Sequence, residues 1–127
     1  MILGVGVDLV EVSRMERILE RPWGRRFVER VFCKEEIAVC QGSARPAEAY
    51  AARFAAKEAL VKALGTGFSK GVTPAAVLIC GGERTQPSIR LRAEASVMAE
   101  AMNVSGIHVS LTHTAETACA MVVVEKK

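Results

Sequence analysis

From Pro46 to Leu64 the chain runs without a glycine and with one β-branched residue, Val61. Proline suits a first helical turn, where its missing N–H has no partner to lose. Gly65 then ends the run, because glycine takes the left-handed terminal conformation without steric cost. The stretch predicts a long helix over 46–64, and the rest of a 127-residue chain must be arranged on it. Glu58 and Lys62 lie four apart and share a face of this helix. Ala55, Ala56 and Ala59 surround Glu58, and side chains this small let another backbone approach closely. A carboxylate in such a place needs a partner, because burying it alone is costly.

Residues 2–10, Ile-Leu-Gly-Val-Gly-Val-Asp-Leu-Val, are almost wholly apolar with one charge, which predicts a strand buried on both faces. Side chains alternate along a strand, so Gly4, Gly6 and Asp8 fall on one face. The two glycines make a groove in which an alanine-rich helix could lie, bringing Glu58 to Asp8. Two carboxylates brought together repel unless a proton or cation lies between them. Magnesium suits such a pair, since it takes hard oxygen ligands, often one or two carboxylates together with phosphate oxygens. The bland alternatives are an exposed Glu58–Lys62 pair and an Asp8 that bonds a turn. The Gly4-x-Gly6 pair is no dinucleotide fingerprint: the third glycine position is Leu9, and the glycines lie within the strand rather than after it.

Elsewhere, Ser13 with Glu16 has the form of a capping box opening a helix to about Glu20 or Arg21. Pro22 and Gly24 interrupt it. Short helices are expected over 25–31, with Phe27, Val28, Val31 and Phe32 inward, and over 34–41, with Ile37 and Cys40 on the apolar side. Residues 65–74 are a loop, 75–80 and 88–92 strands joined by a turn at 81–87, and 93–102 a helix ending near Asn103. Residues 107–112 and 117–124 are the last strands. Strands and helices do not alternate strictly, so the fold class is α+β, a mainly antiparallel sheet packed on a long central helix, in a single domain over 1–127. Half the residues are apolar, which in so small a chain points either to an oligomer or, as the bland alternative, to a dense single core.

The net charge of +3 is mild and does not indicate nucleic acid, and low aromatic content removes the usual base-stacking platforms. The four cysteines, Cys33, Cys40, Cys80 and Cys119, lack paired metal spacing and lie in apolar neighbourhoods, as buried, reduced thiols of a cytoplasmic protein would. There is no basic leader with a cleavage site, and no apolar run approaches the ~18 residues of a membrane span.

Four blocks carry a family resemblance. They are Gly-Val-Gly-Val-Asp-Leu-Val-Glu-Val at 4–12, Arg-Phe-Ala-Ala-Lys-Glu-Ala at 53–59, Lys-Ala-Leu-Gly-Thr-Gly at 62–67 and His-Val-Ser-Leu-Thr-His-Thr at 108–114. In order and spacing, over the whole chain, the sequence resembles the holo-acyl-carrier-protein synthases, the small trimeric type of 4′-phosphopantetheinyl transferase. The resemblance implies the corresponding fold. It also implies transfer of 4′-phosphopantetheine from coenzyme A to a serine of apo-acyl carrier protein, leaving adenosine 3′,5′-bisphosphate, in support of fatty acid biosynthesis. The family's metal-binding carboxylates fall on Asp8 and Glu58, with Mg2+ as cofactor. Lys62 and the Gly65-Thr66-Gly67 segment fall where the family contacts the coenzyme A phosphates, and Arg53 and His113 in its coenzyme site. Lys62 would stabilise the leaving phosphate, and Glu58 is the candidate base for the serine hydroxyl. His113 is often followed by an acidic residue in the family; here Thr114 follows. A homotrimer with active sites between subunits is implied as well.

Arg14, Arg17 and Arg21 recur at helical spacing, and Arg25, Arg26 and Arg30 follow, with Glu16, Glu20 and Glu29 between them. Such a run is ordinarily a solvated face with local ion pairs. The resemblance supplies a partner, because an acyl carrier protein is small and strongly acidic, and arginine's planar fork grips carboxylates in pairs. Arg14, Arg21 and Arg25 are the expected docking residues. The competing readings are a related transferase acting on carrier domains of other synthases, a coenzyme- or carrier-binding module without activity, and a small basic nucleic-acid-binding protein.

Overall fold

The computed structural model describes residues 1–68, 72–82 and 84–127. In chain order the elements are β1 (Ile2–Glu11), α1 (Val12–Glu20), α2 (Gly24–Val31), α3 (Lys34–Gln41), α4 (Pro46–Leu64), a 3-10 turn (Pro74–Ala76), β2 (Val77–Cys80), β3 (Ser88–Leu91), α5 (Ala93–Ala101), β4 (Val104–His113) and β5 (Thr117–Lys126). Helix α4 has the predicted bounds. It opens on Pro46 and ends on Gly65 at φ 75°, in the left-handed conformation. The fold is α+β as expected. The antiparallel strands β1-β5-β4 form one sheet and β2-β3 a separate hairpin.

Helix α4 packs against β1 and β5, and the two glycines of β1 explain how. A Cβ on Gly4 would lie 1.8 Å from the Ala63 carbonyl oxygen, and one on Gly6 would lie 1.9 Å from that of Ala59. No other residue admits the helix backbone so close to the strand. Ala55, Ala56 and Ala59 on α4, with Ala118, Ala120, Val122 and Val124 on β5, complete this layer, all of them fully buried. In register, Gly6 faces Val122 and Asp8 faces Ala120.

The other face of β1 corrects the sequence reading. Val5, Val7 and Leu9 are 53%, 55% and 67% exposed, so the strand is buried on one face only. An unbroken apolar run hides which row a partner element covers, and here α4 covers the glycine row. The expected Ser13–Glu16 capping box is also absent. β1 runs straight into α1, Glu11 is the N-cap, and the Val12 amide donates to the Glu116 carbonyl at 2.8 Å, so Ser13 already lies within the helix. The capping box is at α3 instead, where Cys33 and Glu36 satisfy each other's amides. Among the cysteines only Cys40 is buried; Cys33, Cys80 and Cys119 are half-buried rather than enclosed.

Strand β2 starts two residues later than expected, because Pro74–Ala76 form the 3-10 turn, while β4 and β5 extend past 107–112 and 117–124 at both or one end. The predicted loop 65–74 includes residues 69–71 and the predicted turn 81–87 includes residue 83, which lie outside the described residues. Among the described residues no helix is long and apolar enough to cross a membrane.

Candidate active site

Close contact between β1 and α4 brings Asp8 and Glu58 together. Both line one cavity of about 280 Å³, with Leu9, Val10, Arg14, Met15, Ile18, Phe27 and Phe54. Its wall is apolar except for two carboxylates and one guanidinium. Burial first, and the neighbouring Asp8 charge second, push the Glu58 carboxyl above its ordinary range, against an opposing pull from Lys62. The Asp8 charge thus disfavours the ionised form of Glu58 across the cavity.

Lys62, one helical turn beyond Glu58, bonds Asp8 rather than Glu58. Its Nζ donates to Asp8 Oδ1 at 2.9 Å and to the Val7 carbonyl at 3.1 Å. The bond and the charge of Asp8 raise the Lys62 pKa. With its side chain 53% exposed, this pair is a surface contact and contributes little to stability. Asp8, Glu58 and Lys62 therefore meet as expected, and the simple Glu58–Lys62 pair is not what forms. Among the described residues no group of three or more His, Cys, Asp or Glu is arranged to hold a metal. A site of two carboxylates falls below that count, and two hard oxygen donors facing one cavity are chemically suited to a hard divalent cation such as magnesium.

Gly65 and Thr66 follow α4 directly. The Gly65 amide donates to the Lys62 carbonyl at 3.1 Å and the Thr66 amide to that of Val61 at 3.2 Å, which seals the end of the helix. Gly65 and Gly67 both have positive φ and open space where a Cβ would stand.

Arg53 and His113 lie elsewhere. They line a second cleft of about 560 Å³ with Gly42, Ser43, Glu48 and Gly82. This cleft shares no lining residue with the Asp8–Glu58 cavity. Arg53 is 3% exposed. It donates from Nη2 to the Gly81 carbonyl at 3.1 Å, and its buried Nε has no hydrogen-bond partner among the described residues. His113 Nδ1 lies 3.3 Å from Glu48 Oε1 at the end of β4. Sequence reasoning found Arg53 and His113 only through the family pattern and missed Glu48 and Arg45. Arg45 bonds Glu48 at 2.7 Å and the Ala115 carbonyl at 3.3 Å, fastening the start of α4 to the β4–β5 turn.

Arg14, Arg21 and Arg25 are all exposed on or beside α1 and α2. Arg14 reaches the rim of the carboxylate cavity, and Arg25 pairs with Glu29 at 3.0 Å. Beside them Trp23 is half exposed, a residue not singled out from sequence.

Residues 4–121 match the model of the 4′-phosphopantetheinyl transferase superfamily. A protein of Maridesulfovibrio salexigens named holo-[acyl-carrier-protein] synthase is 42% identical over 126 residues, spanning 99% of this chain and 100% of its own length. The crystal structure of the holo-[acyl-carrier-protein] synthase of Neisseria meningitidis superposes with a TM-score of 0.91 at 32% identity, over 99% of this chain and 100% of that one. The Helicobacter pylori synthase, solved in complex with coenzyme A, gives 0.82 at 30% identity over 95% of this chain and 99% of its own.

Proposed function

The chain belongs to the 4′-phosphopantetheinyl transferase superfamily, and from that premise we propose that Asp8, Glu58 and Lys62 form the reaction centre of a holo-[acyl-carrier-protein] synthase. The enzyme transfers the 4′-phosphopantetheine group of coenzyme A to a serine of apo-acyl carrier protein, giving the holo form and adenosine 3′,5′-bisphosphate. The observation that carries the site assignment is the convergence of Asp8 and Glu58 on one cavity with the Lys62 ammonium bonded to Asp8.

Attack on a pyrophosphate is mainly a matter of charge and alignment. Asp8 and Glu58 would hold a magnesium ion, which neutralises phosphate charge and orders the oxygens around the reacting phosphorus when bound. Lys62, on a flexible stem at the cavity's edge, turns to the leaving phosphate and stabilises the charge released as the P–O bond breaks. Glu58 accepts the serine proton.

The Arg53–His113 cleft takes a second anionic part of the coenzyme. An orphaned buried guanidinium nitrogen and an exposed imidazole are donors suited to a phosphate. Because this cleft and the carboxylate cavity have no wall in common within one chain, the complete site forms where two subunits meet. Val5, Val7, Leu9 and Met121 leave an apolar sheet face exposed, which a second copy covers. The family resemblance makes the assembly a trimer, with three equivalent clefts. The exposed arginines dock the acidic carrier, and the reaction takes place in the cytoplasm.

Mass spectrometry of an apo-acyl carrier protein incubated with enzyme, coenzyme A and magnesium tests this reading. The carrier gains one phosphopantetheine. An unmodified carrier that nevertheless binds the chain would leave a binding module in place of a transferase.

A further inference from the structure

One buried ion pair is left unused by the chemistry above. Lys57, the residue before Glu58, is fully buried with Glu36, their Nζ and Oε1 atoms 2.7 Å apart. The Lys57 ammonium also donates to the Pro74 carbonyl at 2.9 Å and to the Val77 carbonyl, so all three of its protons are used. Glu36 in turn accepts from the Cys33 amide at 3.0 Å and, through Oε2, from the Ile79 amide at 3.2 Å. Val77 and Ile79 are two apart in β2, so these backbone groups lie on one edge of that strand. The pair thereby fastens one edge of β2 to α4 and α3.

The same strand leads into the Arg53–His113 cleft. Two residues past Ile79, the Gly81 carbonyl accepts from Arg53 Nη2 at 3.1 Å, and Gly82 lines the cleft. The Gly82 amide donates to the Thr85 carbonyl at 3.0 Å, which holds the turn after β2. Among the described residues the Arg53 side chain has that one hydrogen bond, and its buried Nε is without a partner. Arg53 and Lys57 are four residues apart on α4, about 6 Å along its axis. Between them they hold β2 at its two ends, Lys57 at the Val77 carbonyl and Arg53 at the Gly81 carbonyl just past Cys80.

The fold alone does not call for charges at 36 and 57. An apolar pair of similar volume is often as stable as a buried ion pair, because desolvation offsets the attraction. What the charges add is direction, since each bond fixes one named backbone group. A fixed β2 fixes the Gly81 carbonyl. That carbonyl sets how the Arg53 guanidinium is turned, because its N–H groups form a rigid planar fork and tying one of them orients the rest.

We propose that Glu36 and Lys57 are positioning residues for Arg53: by holding β2 on α4 they hold the Gly81 carbonyl that aims the guanidinium at an anionic group in the cleft. The inference rests on the reading that this cleft takes a second anionic part of coenzyme A. Glu36 and Lys57 themselves touch no substrate.

The test is a steady-state comparison of wild type, the double variant Glu36→Leu/Lys57→Met, which removes both charges together, Arg53→Met, and the three changes combined. The double variant raises the KM for coenzyme A about tenfold, with kcat within about twofold and an unchanged KM for the carrier. Arg53→Met alone raises the same KM at least as far. The two effects do not multiply: once Arg53 is gone, losing the pair raises KM by less than about twofold more, because residues that act through one another are not additive. Should the double variant not fold, Glu36→Asp takes its place, alone and with Arg53→Met. It keeps the charge, draws the carboxylate back from Ile79 by one methylene, and raises the KM for coenzyme A about threefold. A folded pair variant with wild-type KM for coenzyme A overturns the proposal. So does an increase that multiplies with that of Arg53→Met, which leaves the pair a purely structural one. Arg53→Met also separates the two levels. If it raises the coenzyme KM while the pair variants do not, only this inference fails. If it leaves that KM unchanged, the reading of the cleft fails, and this inference with it.

Discussion

A Cβ on Gly6 would lie 1.9 Å from the carbonyl oxygen of Ala59, the residue that follows Glu58. The separation between β1 and α4, and with it the separation of Asp8 from Glu58, is thus set by a missing side chain. Gly6→Ala forces the helix away from the strand. It should destabilise the protein by about 1–3 kcal/mol, as overpacking does. It should also lower transfer activity further than the lost stability explains. Thermal melting and turnover at a temperature where the variant is fully folded check the two effects separately.

Much of this was readable in the chain. The long helix, its proline start and glycine end, and the groove made by Gly4 and Gly6 all follow from local rules, and the structure reproduces them. Asp8 and Glu58 could be paired because strand alternation and the alanines around Glu58 both point to close approach. What local rules could not supply was which row of an apolar strand faces outward. Val5 and Val7 read as core, yet only the glycine row meets α4. The Lys57–Glu36 pair also gave no signal, since the α3 capping box begins with Cys33 rather than serine or threonine, and the partners are far apart in sequence. The separation of Arg53 from Glu58, five positions apart on one helix, is a matter of helix face and of which elements pack there.

Glu58 should cost the protein stability at neutral pH. Its folded pKa is raised, so its stabilising contribution is complete below the unfolded value and is lost as pH rises through the folded one. Glu58→Gln should therefore melt higher than wild type at pH 7 and converge with it in acid, while losing transfer activity. A series of melting curves between pH 4 and 8, the unfolded carboxylate lying near ~4.3, checks the sign. A variant less stable than wild type at pH 7 would contradict it.

The exposed row of β1 should be an interface. Val7→Lys places a charge in the middle of Val5, Leu9 and Met121 and should lower the mass read by light scattering at micromolar concentration from that of the proposed trimer toward that of a monomer. The monomer should be inactive. Mixing Asp8→Ala with His113→Ala subunits should restore part of the activity, because some interfaces join two intact walls.

Arg21→Glu and Arg25→Glu should weaken binding of the acidic carrier by about 1 kcal/mol each or less, in the range of exposed charge pairs, and leave coenzyme A binding unchanged. Added salt should weaken the wild-type encounter too, since exposed charges are screened over about 10 Å at 0.1 M. Calorimetry with each ligand in turn reads both.

The central claim is that Asp8 and Glu58 act together through a magnesium ion. Its most direct test is the single-turnover rate of transfer to apo-carrier protein as magnesium is titrated into wild type, Asp8→Asn and Glu58→Gln. The account predicts a saturable magnesium dependence in wild type, and in each variant a rate lower by several kcal/mol of transition-state stabilisation, about 10²-fold or more, that added magnesium does not recover. A near-normal rate and magnesium dependence in either variant would contradict it.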